Sequence, residues 1–359
     1  MIRFLTQEEK LNTKVLYREA FPQDSRSFVE YYYREKTKTN RVAGDIGADG
    51  RVSSMLMLNP YRVKVGQGVY DLDYIVAVAT AENARRQGKM RGVLEFALRE
   101  MEKKHVPFTY LLPANKDYYL PFHFAFVSDK EEWKSADLGR LLGPEALAGL
   151  RERVLDHDSP QGLFLAAADF VNQVLGETKD VYALRDEAYY RREVLELASE
   201  GGKLRLFFDR EDRMQALFSV WGQGEVKECI LSRELLFLLE HGPGKQLVKP
   251  APGIMIRITD LRELVKNLAL KETEKNDKCV FYLRLTDPLL VSQNGLFCWE
   301  AARSGSRLIP VQELPKGEEA VETDVGELTG WIFGYTHAEK FASLEKVEGF
   351  RGVFFDEAV

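Results

Sequence analysis

Cysteine is scarce in this sequence. There are three among 359 residues, Cys229, Cys279 and Cys298, and none stands in C-x-x-C spacing. That excludes a disulfide framework and a cysteine-built zinc site, and no metal is expected; the pattern fits a reducing compartment. No apolar run approaches the ~20 residues that a membrane span needs. The opening stretch, MIRFLTQEEKLNTK, also lacks the apolar core of a secretory leader, so the expectation is a cytoplasmic protein with no membrane span. Positive charge is in deficit, with 50 Lys and Arg against 56 Asp and Glu and a formal net charge of −6. That balance argues against a nucleic-acid partner and is compatible with a small cationic substrate. No G-x-S-x-G elbow appears. The GPGK stretch at 242–245 lacks the spacing and the Ser/Thr of a phosphate loop. His337-Ala338-Glu339 has no P-C-x-x-C after it to make a zinc deaminase.

What is present is a soluble globular composition, 45% hydrophobic and 30% charged, on a chain too long for one core. The first third is ordered by its periodicity. Residues 24–36 read as a helix capped by Asp24 or Ser25. Residues 41–80 read as three antiparallel strands parted by GADG and GQG turns. After them, Met90, Val93, Leu94, Ala97, Leu98 and Met101 make one apolar helix face. A buried strand at 106–114 and a short helix or turn at 115–127 follow. Beyond residue 130 the pattern predicts a helical region over 138–157, helices near 164–175 and 185–199, strands near 203–208, 214–221 and 225–231, and a helix ending at about 241. Rich in Gly, Pro and Lys, 241–253 reads as a linker. A strand, a helix over 260–270, strands near 279–286, 295–301 and 306–312, and a helical stretch over 325–347 complete the chain. The expected class is α+β. The expected boundaries are 1–145, 146–249 and 250–359.

The segment ARRQGKMRGVLEFALRE, residues 84–100, poses the chemical question. Arg85, Arg86, Lys89 and Arg91 crowd the start of a helix, the end where the dipole is already positive. A glycine there, Gly88, lets backbone N–H groups approach an anion, and a pyrophosphate fits. By spacing alone, the same residues also read as a turn glycine beside a solvated basic face.

VATAENARRQGKMRGVL resembles the acyl-CoA motif of the GNAT N-acetyltransferases, Q/R-x-x-G-x-G/A, and YYLPFHFAFV is similar to their later Tyr-x-x-Phe-Gly-Phe/Tyr segment. Among these the chain most resembles the Eis-like branch, the enhanced intracellular survival proteins. Their plan is a GNAT domain, a GNAT-like domain and a sterol-carrier-protein-like C-terminal domain; PGIMIRITD and GELTGWIFGYTHAEKF are similar to that last part. The resemblance implies a GNAT fold and acetyl-CoA as co-substrate. It implies transfer of the acetyl group to an amine of a small cationic molecule or a lysine side chain. Val78, Ala79 and Thr80 would hold the pantetheine, and Arg85, Arg86, Gly88, Lys89, Met90 and Arg91 would surround the pyrophosphate. Tyr119 would protonate the leaving thiolate, and the carboxylate of Val359 would be the base. A homo-oligomer, often a hexamer in that branch, is also implied. Two departures stand out: Met90 occupies a position that is often Gly or Ala, and His123 replaces a glycine. The competing reading is a non-catalytic protein that binds acyl-CoA or lipid on a degenerate GNAT scaffold.

Overall fold

The structure is a computed structural model that describes residues 1–222 and 224–357. Its centre is one long mixed sheet. In spatial order the strands are Ile2–Phe4, Arg41–Ile46, Val52–Val65, Gly68–Thr80, Phe108–Leu111, Val248–Ile258 and Ala125–Trp133. The short strand Val181–Ala183 pairs with the far end of Val52–Val65, and Val353–Phe354 lies parallel beside it. The meander, the Arg26–Glu35 helix with its Ser25 cap and the Lys89–Lys103 helix follow the sequence pattern, and Val93, Leu94, Ala97, Leu98 and Met101 are buried on one face.

A strand from late in the chain completes this sheet. Val248–Ile258 lies between Phe108–Leu111 and Ala125–Trp133 and pairs antiparallel with both. The 241–253 stretch is therefore not a linker: it forms a 3-10 turn at Pro243–Leu247 and then enters the sheet. Its prolines misled the sequence reading, because proline cannot donate to a ladder and belongs at edges and bulges. Pro250 and Pro252 occupy such places. Only Met255 and Ile256 are paired on both sides, and the register shifts just after Pro252. The boundary expected near 250 thus falls inside a strand of the first sheet.

Between those pairing strands sits a middle region. Its antiparallel sheet runs Glu225–Leu231, Met214–Trp221, Lys203–Phe208, Arg151–Leu155, with the Gln161–Thr178 and Glu187–Ser199 helices against it. The expected helical stretch 138–157 corrects to two short helices, Leu138–Leu142 and Pro144–Leu147, and then that strand. Arg, Glu and Leu favour helix, but cross-strand pairing overrides the preference: Arg205 clasps Glu152, and Arg153 reaches Asp212.

The C-terminal region has its own four-stranded sheet, in the order Gly305–Val311, Gly295–Ala302, Lys278–Thr286, Ala320–Asp324, the last pair parallel. The helix expected over 260–270 is shorter, Leu261–Val265, and the one over 325–347 ends at Ile332. Arg257 ties this region to the first sheet. Its side chain is fully buried; Nη2 donates to both Asp287 oxygens at 2.6 and 2.7 Å, and Nε to the Phe122 carbonyl at 2.7 Å.

Candidate active site

The Gly68–Thr80 strand and its parallel neighbour Phe108–Leu111 meet only at Tyr74 and Tyr110 and then splay apart. Just beyond that point the ladder with Val52–Val65 bulges: Met57 faces Val76, Met55 faces Ala79, and Ala77 takes a left-handed φ of 50°. A bulge of this kind swings the following peptides out of the plane. Val78, Ala79 and Thr80 therefore end the strand with one backbone edge facing a widening cleft instead of a partner strand.

The chain then turns through Glu82–Ala84 into the Lys89–Lys103 helix, with Gly88 as N-cap at φ 73°. No side chain caps this end. The N–H groups of residues 86–91 meet no hydrogen-bond acceptor among the described residues. Such a row of bare donors at a helix start is an anion cradle. The cations around it differ in their freedom. Lys89 is bound to Asp45 at 2.6 Å, and that contact holds the Asp45 carboxyl below the usual range. Arg91 pairs with Glu95 at 3.2 Å and lies over the Phe122 ring. Arg85 donates to the Thr80 carbonyl at 3.2 Å. Arg86 is exposed at φ 60° with no ion-pair partner among the described residues. Met90 packs half-buried against the core, so its bulk stays clear of the cradle.

Tyr119 joins two 3-10 turns, Lys116–Tyr118 and Leu120–Phe122, and is buried edge-on against Phe124. Burial, with Tyr118 nearby, pushes its hydroxyl up to about 12. Tyr74, at the point where the strands part, is within electrostatic reach of both Tyr119 and Glu357, and its hydroxyl meets the Leu112 backbone. His123 explains its own departure from the family pattern. It caps the second turn in the left-handed region, φ 60° and ψ 31°, where glycine is the usual residue. Histidine is tolerated there more readily than bulky side chains, and its Nδ1 lies 3.3 Å from Asp324, the N-cap of the Val325–Ile332 helix.

Beside the splay is a chamber of about 370 Å³ lined by Asp24, Phe28, Leu112, Trp221, Glu200 and Glu225 and also by Lys130 and Lys227. Aromatic walls and carboxylates suit an organic cation. Burial raises the Asp24 carboxyl although the Tyr17 hydroxyl donates to it at 2.7 Å. Phe28 lines the chamber, whereas Tyr31, Tyr32 and Tyr33 are core and Trp133 packs into the middle region. The tail reaches the point where the strands part: Phe355 stacks on Tyr110 with centroids 3.9 Å apart, and Asp356 and Glu357 are buried. Val359 lies outside the described residues.

Comparison with known proteins now gives this arrangement a class. Residues 1–127 match the acetyltransferase (GNAT) domain, and residues 262–357 match the sterol carrier protein domain. The chain carries a GNAT acetyltransferase domain at one end and a sterol carrier protein domain at the other, and its mixed α/β architecture is the one expected from the sequence. Three solved structures share the fold over nearly the whole chain. A probable N-acyltransferase of unknown function from Enterococcus faecalis is 16% identical, covering 97% of this chain and 93% of that one, with a TM-score of 0.74. A GCN5-related N-acetyltransferase from Anabaena variabilis is 16% identical, covering 97% and 94%, with a TM-score of 0.70. Eis1 from Mycobacterium abscessus is 14% identical, covering 97% and 93%, with a TM-score of 0.65. At such identities the likeness is one of fold. No curated protein matches the chain.

Sequence reasoning missed most of the chamber. Glu200, Trp221 and Glu225 come from the middle region, Lys130 from the first sheet and Leu112 from just past the end of its Phe108–Leu111 strand. They converge only through tertiary structure, and no spacing announces them.

Proposed function

We propose that this protein is an N-acetyltransferase of the Eis-like branch that moves the acetyl group of acetyl-CoA to an amine of a small cationic substrate. The observation that carries this reading is the meeting of three features at one point: the splayed strand edge at Val78–Thr80, the bare N–H row at residues 86–91, and an acidic, aromatic chamber beside them. The residues present suit the co-substrate. A pyrophosphate is held by N–H groups at a helix start with Arg85 and Arg86 beside it. The amide groups of a pantetheine arm need backbone partners, which the free edge of Val78, Ala79 and Thr80 offers. Acetyl-CoA supplies an activated thioester; the chain's residues supply position and protons.

Tyr119 is the donor for the leaving sulfur. A phenol held near 12 stays protonated throughout the working range, so it is always loaded, and it gives up its proton only as negative charge develops beside it. Phe28 and Trp221 hold the cationic substrate by its apolar stem, and Asp24, Glu200 and Glu225 favour its charge. A homo-oligomer is part of the same proposal; the exposed Leu236, Phe237 and Leu238 on the Arg233–His241 helix support it. The test is thiol release from acetyl-CoA across polyamines, aminoglycosides and lysine peptides, with the acetylated amine identified by mass. Binding of coenzyme A with no transfer to any amine would favour the acyl-CoA-sensing alternative.

A further inference from the structure

The turn that carries Tyr119 is held by side chains from late in the sequence. The 3-10 turn Leu120–Phe122 ends at His123, and a turn this short leaves its last carbonyls without partners inside it. Arg257 answers one of them: its Nε donates to the Phe122 carbonyl at 2.7 Å. The Phe122 N–H in turn donates to the Tyr119 carbonyl at 3.0 Å. Two hydrogen bonds therefore connect Arg257 to the Tyr119 backbone. The contact falls where the sheet stops. Val248–Ile258 pairs with Ala125–Trp133 only as far as Ile256, which faces Ala125. Next to Arg257 the neighbouring chain has already left the sheet, and a guanidinium meets its carbonyl where a ladder N–H would otherwise stand.

That guanidinium is rigidly placed. Nη2 donates to both Asp287 oxygens at 2.6 and 2.7 Å, and Nη1 donates to the Ile258 carbonyl at 2.5 Å. Asp287 is fixed by its own region. Its Oδ1 accepts from the Leu289 and Leu290 N–H groups at 3.0 Å each, and its Oδ2 accepts from Gln293 Nε2 at 3.0 Å. Both side chains of the pair are 0% exposed. The turn has two further holds. His123 Nδ1 lies 3.3 Å from Asp324, and the Phe122 ring centre lies 5.0 Å from the guanidinium of Arg91 on the cradle helix. Stability does not by itself call for a buried ion pair, because apolar side chains of the same volume serve as well or better. What a planar, bidentate guanidinium adds is direction.

We propose that Arg257 is a positioning residue for the transfer: held by Asp287 of the sterol carrier protein domain, it fixes the turn that presents the Tyr119 hydroxyl to the leaving sulfur. This rests on the acetyl-transfer reading above and on the part of Tyr119 in it. The sterol carrier protein domain thereby sets the geometry of a reaction that runs in the GNAT domain. Such geometry matters, since a misplacement of ~1 Å costs on the order of 100-fold in rate.

The test uses the full chain with Arg257→Lys, with the paired change Arg257→Met and Asp287→Asn, and with each of these added to Tyr119→Phe. Lysine keeps a charge for Asp287 but lacks the fork that also reaches the Phe122 carbonyl. The paired change removes both charges together and leaves no uncompensated ion, while asparagine keeps an oxygen for the Leu289 and Leu290 N–H groups. Both variants are expected to keep coenzyme A affinity within about threefold and to lose about 10- to 100-fold in kcat, read as thiol release per folded molecule. In the Tyr119→Phe background the same changes should cost less than about threefold more, because no hydroxyl is left to misplace. A purely structural role does not produce that loss of additivity. Unchanged kcat in the folded variants, a matching fall in coenzyme A affinity, or the full loss repeated on top of Tyr119→Phe overturns the proposal. Failure of both variants to fold also overturns it and leaves Arg257 as an anchor of the fold alone. If Tyr119→Phe keeps wild-type kcat, or wild type acetylates no amine, the acetyl-transfer reading fails first, and the positioning role falls with it.

Discussion

Gly88 tests the anion cradle most directly. At φ 73° and ψ 8° it is left-handed, and a Cβ built on it meets nothing within 4 Å. Steric collision therefore contributes nothing, and the whole effect of a substitution is conformational. A left-handed L-residue costs about 1–2 kcal/mol, with β-branched side chains at the upper end. In the free protein the exposed loop relaxes and escapes most of that cost. Binding a pyrophosphate pulls it back, so the cost appears in affinity. At 1.4 kcal/mol per tenfold, Gly88→Val should weaken coenzyme A binding about 5- to 30-fold. Gly88→Asn should lose only a few-fold, because asparagine visits this region readily. Arg91→Ala should lose less than about fivefold, since Arg91 is half-exposed and already paired with Glu95. Titration calorimetry with coenzyme A measures all three, and pantetheine is the control: it lacks the pyrophosphate and should bind Gly88→Val as it binds wild type. Unchanged coenzyme A affinity in folded Gly88→Val, or an equal loss for pantetheine, refutes the cradle.

Tyr119→Phe should keep coenzyme A affinity and lower kcat about 10²-fold or more, read by steady-state thiol release; an unchanged kcat removes Tyr119 from the chemistry. Asp287→Asn should destabilise the protein by about 3–5 kcal/mol, because Arg257 then stays buried without its counter-charge. Denaturant unfolding measures this, and a change under 1 kcal/mol would show that the pair is dispensable. Light scattering at micromolar concentration should return a multiple of the 41.1 kDa chain mass; a monomer contradicts the oligomer proposal.

The legible parts of the fold were those written in local periodicity. The Lys89–Lys103 helix carries its apolar stripe at helical spacing, and the meander alternates between turn glycines, so both could be read directly. In the stretch 84–91 the helix start just after Gly88 was legible, because a glycine stands directly before the apolar stripe. Arg151–Leu155 was not, since its strand state comes from Glu152 and Arg153 meeting side chains more than fifty residues away. Nor was the chamber, because Asp24, Leu112, Glu200 and Trp221 become neighbours only after three segments dock. The freedom of the cations was also hidden. Lys89 and Arg91 look available in sequence, and Asp45 and Glu95 take them in space.

The strand Val248–Ile258 has a consequence for synthesis on the ribosome. Among the described residues Ala125–Trp133 pairs with no other strand, and Phe108–Leu111 has a single paired residue on its other side. The segment carrying Tyr119 hangs between these two. When residue 133 leaves the exit tunnel, the sheet it needs is unfinished, and the first residue of its last member emerges some 115 residues later. At ~5–20 residues per second, the wait is roughly 6–23 seconds, with an open edge exposed throughout. A gene fragment ending at residue 145 would encode every motif residue of the proposed acetyl-CoA site and still lack the later strand that lies in the sheet between those on either side of Tyr119. It should aggregate where the full chain folds, and a later-supplied peptide spanning 248–258 is the natural candidate to rescue it.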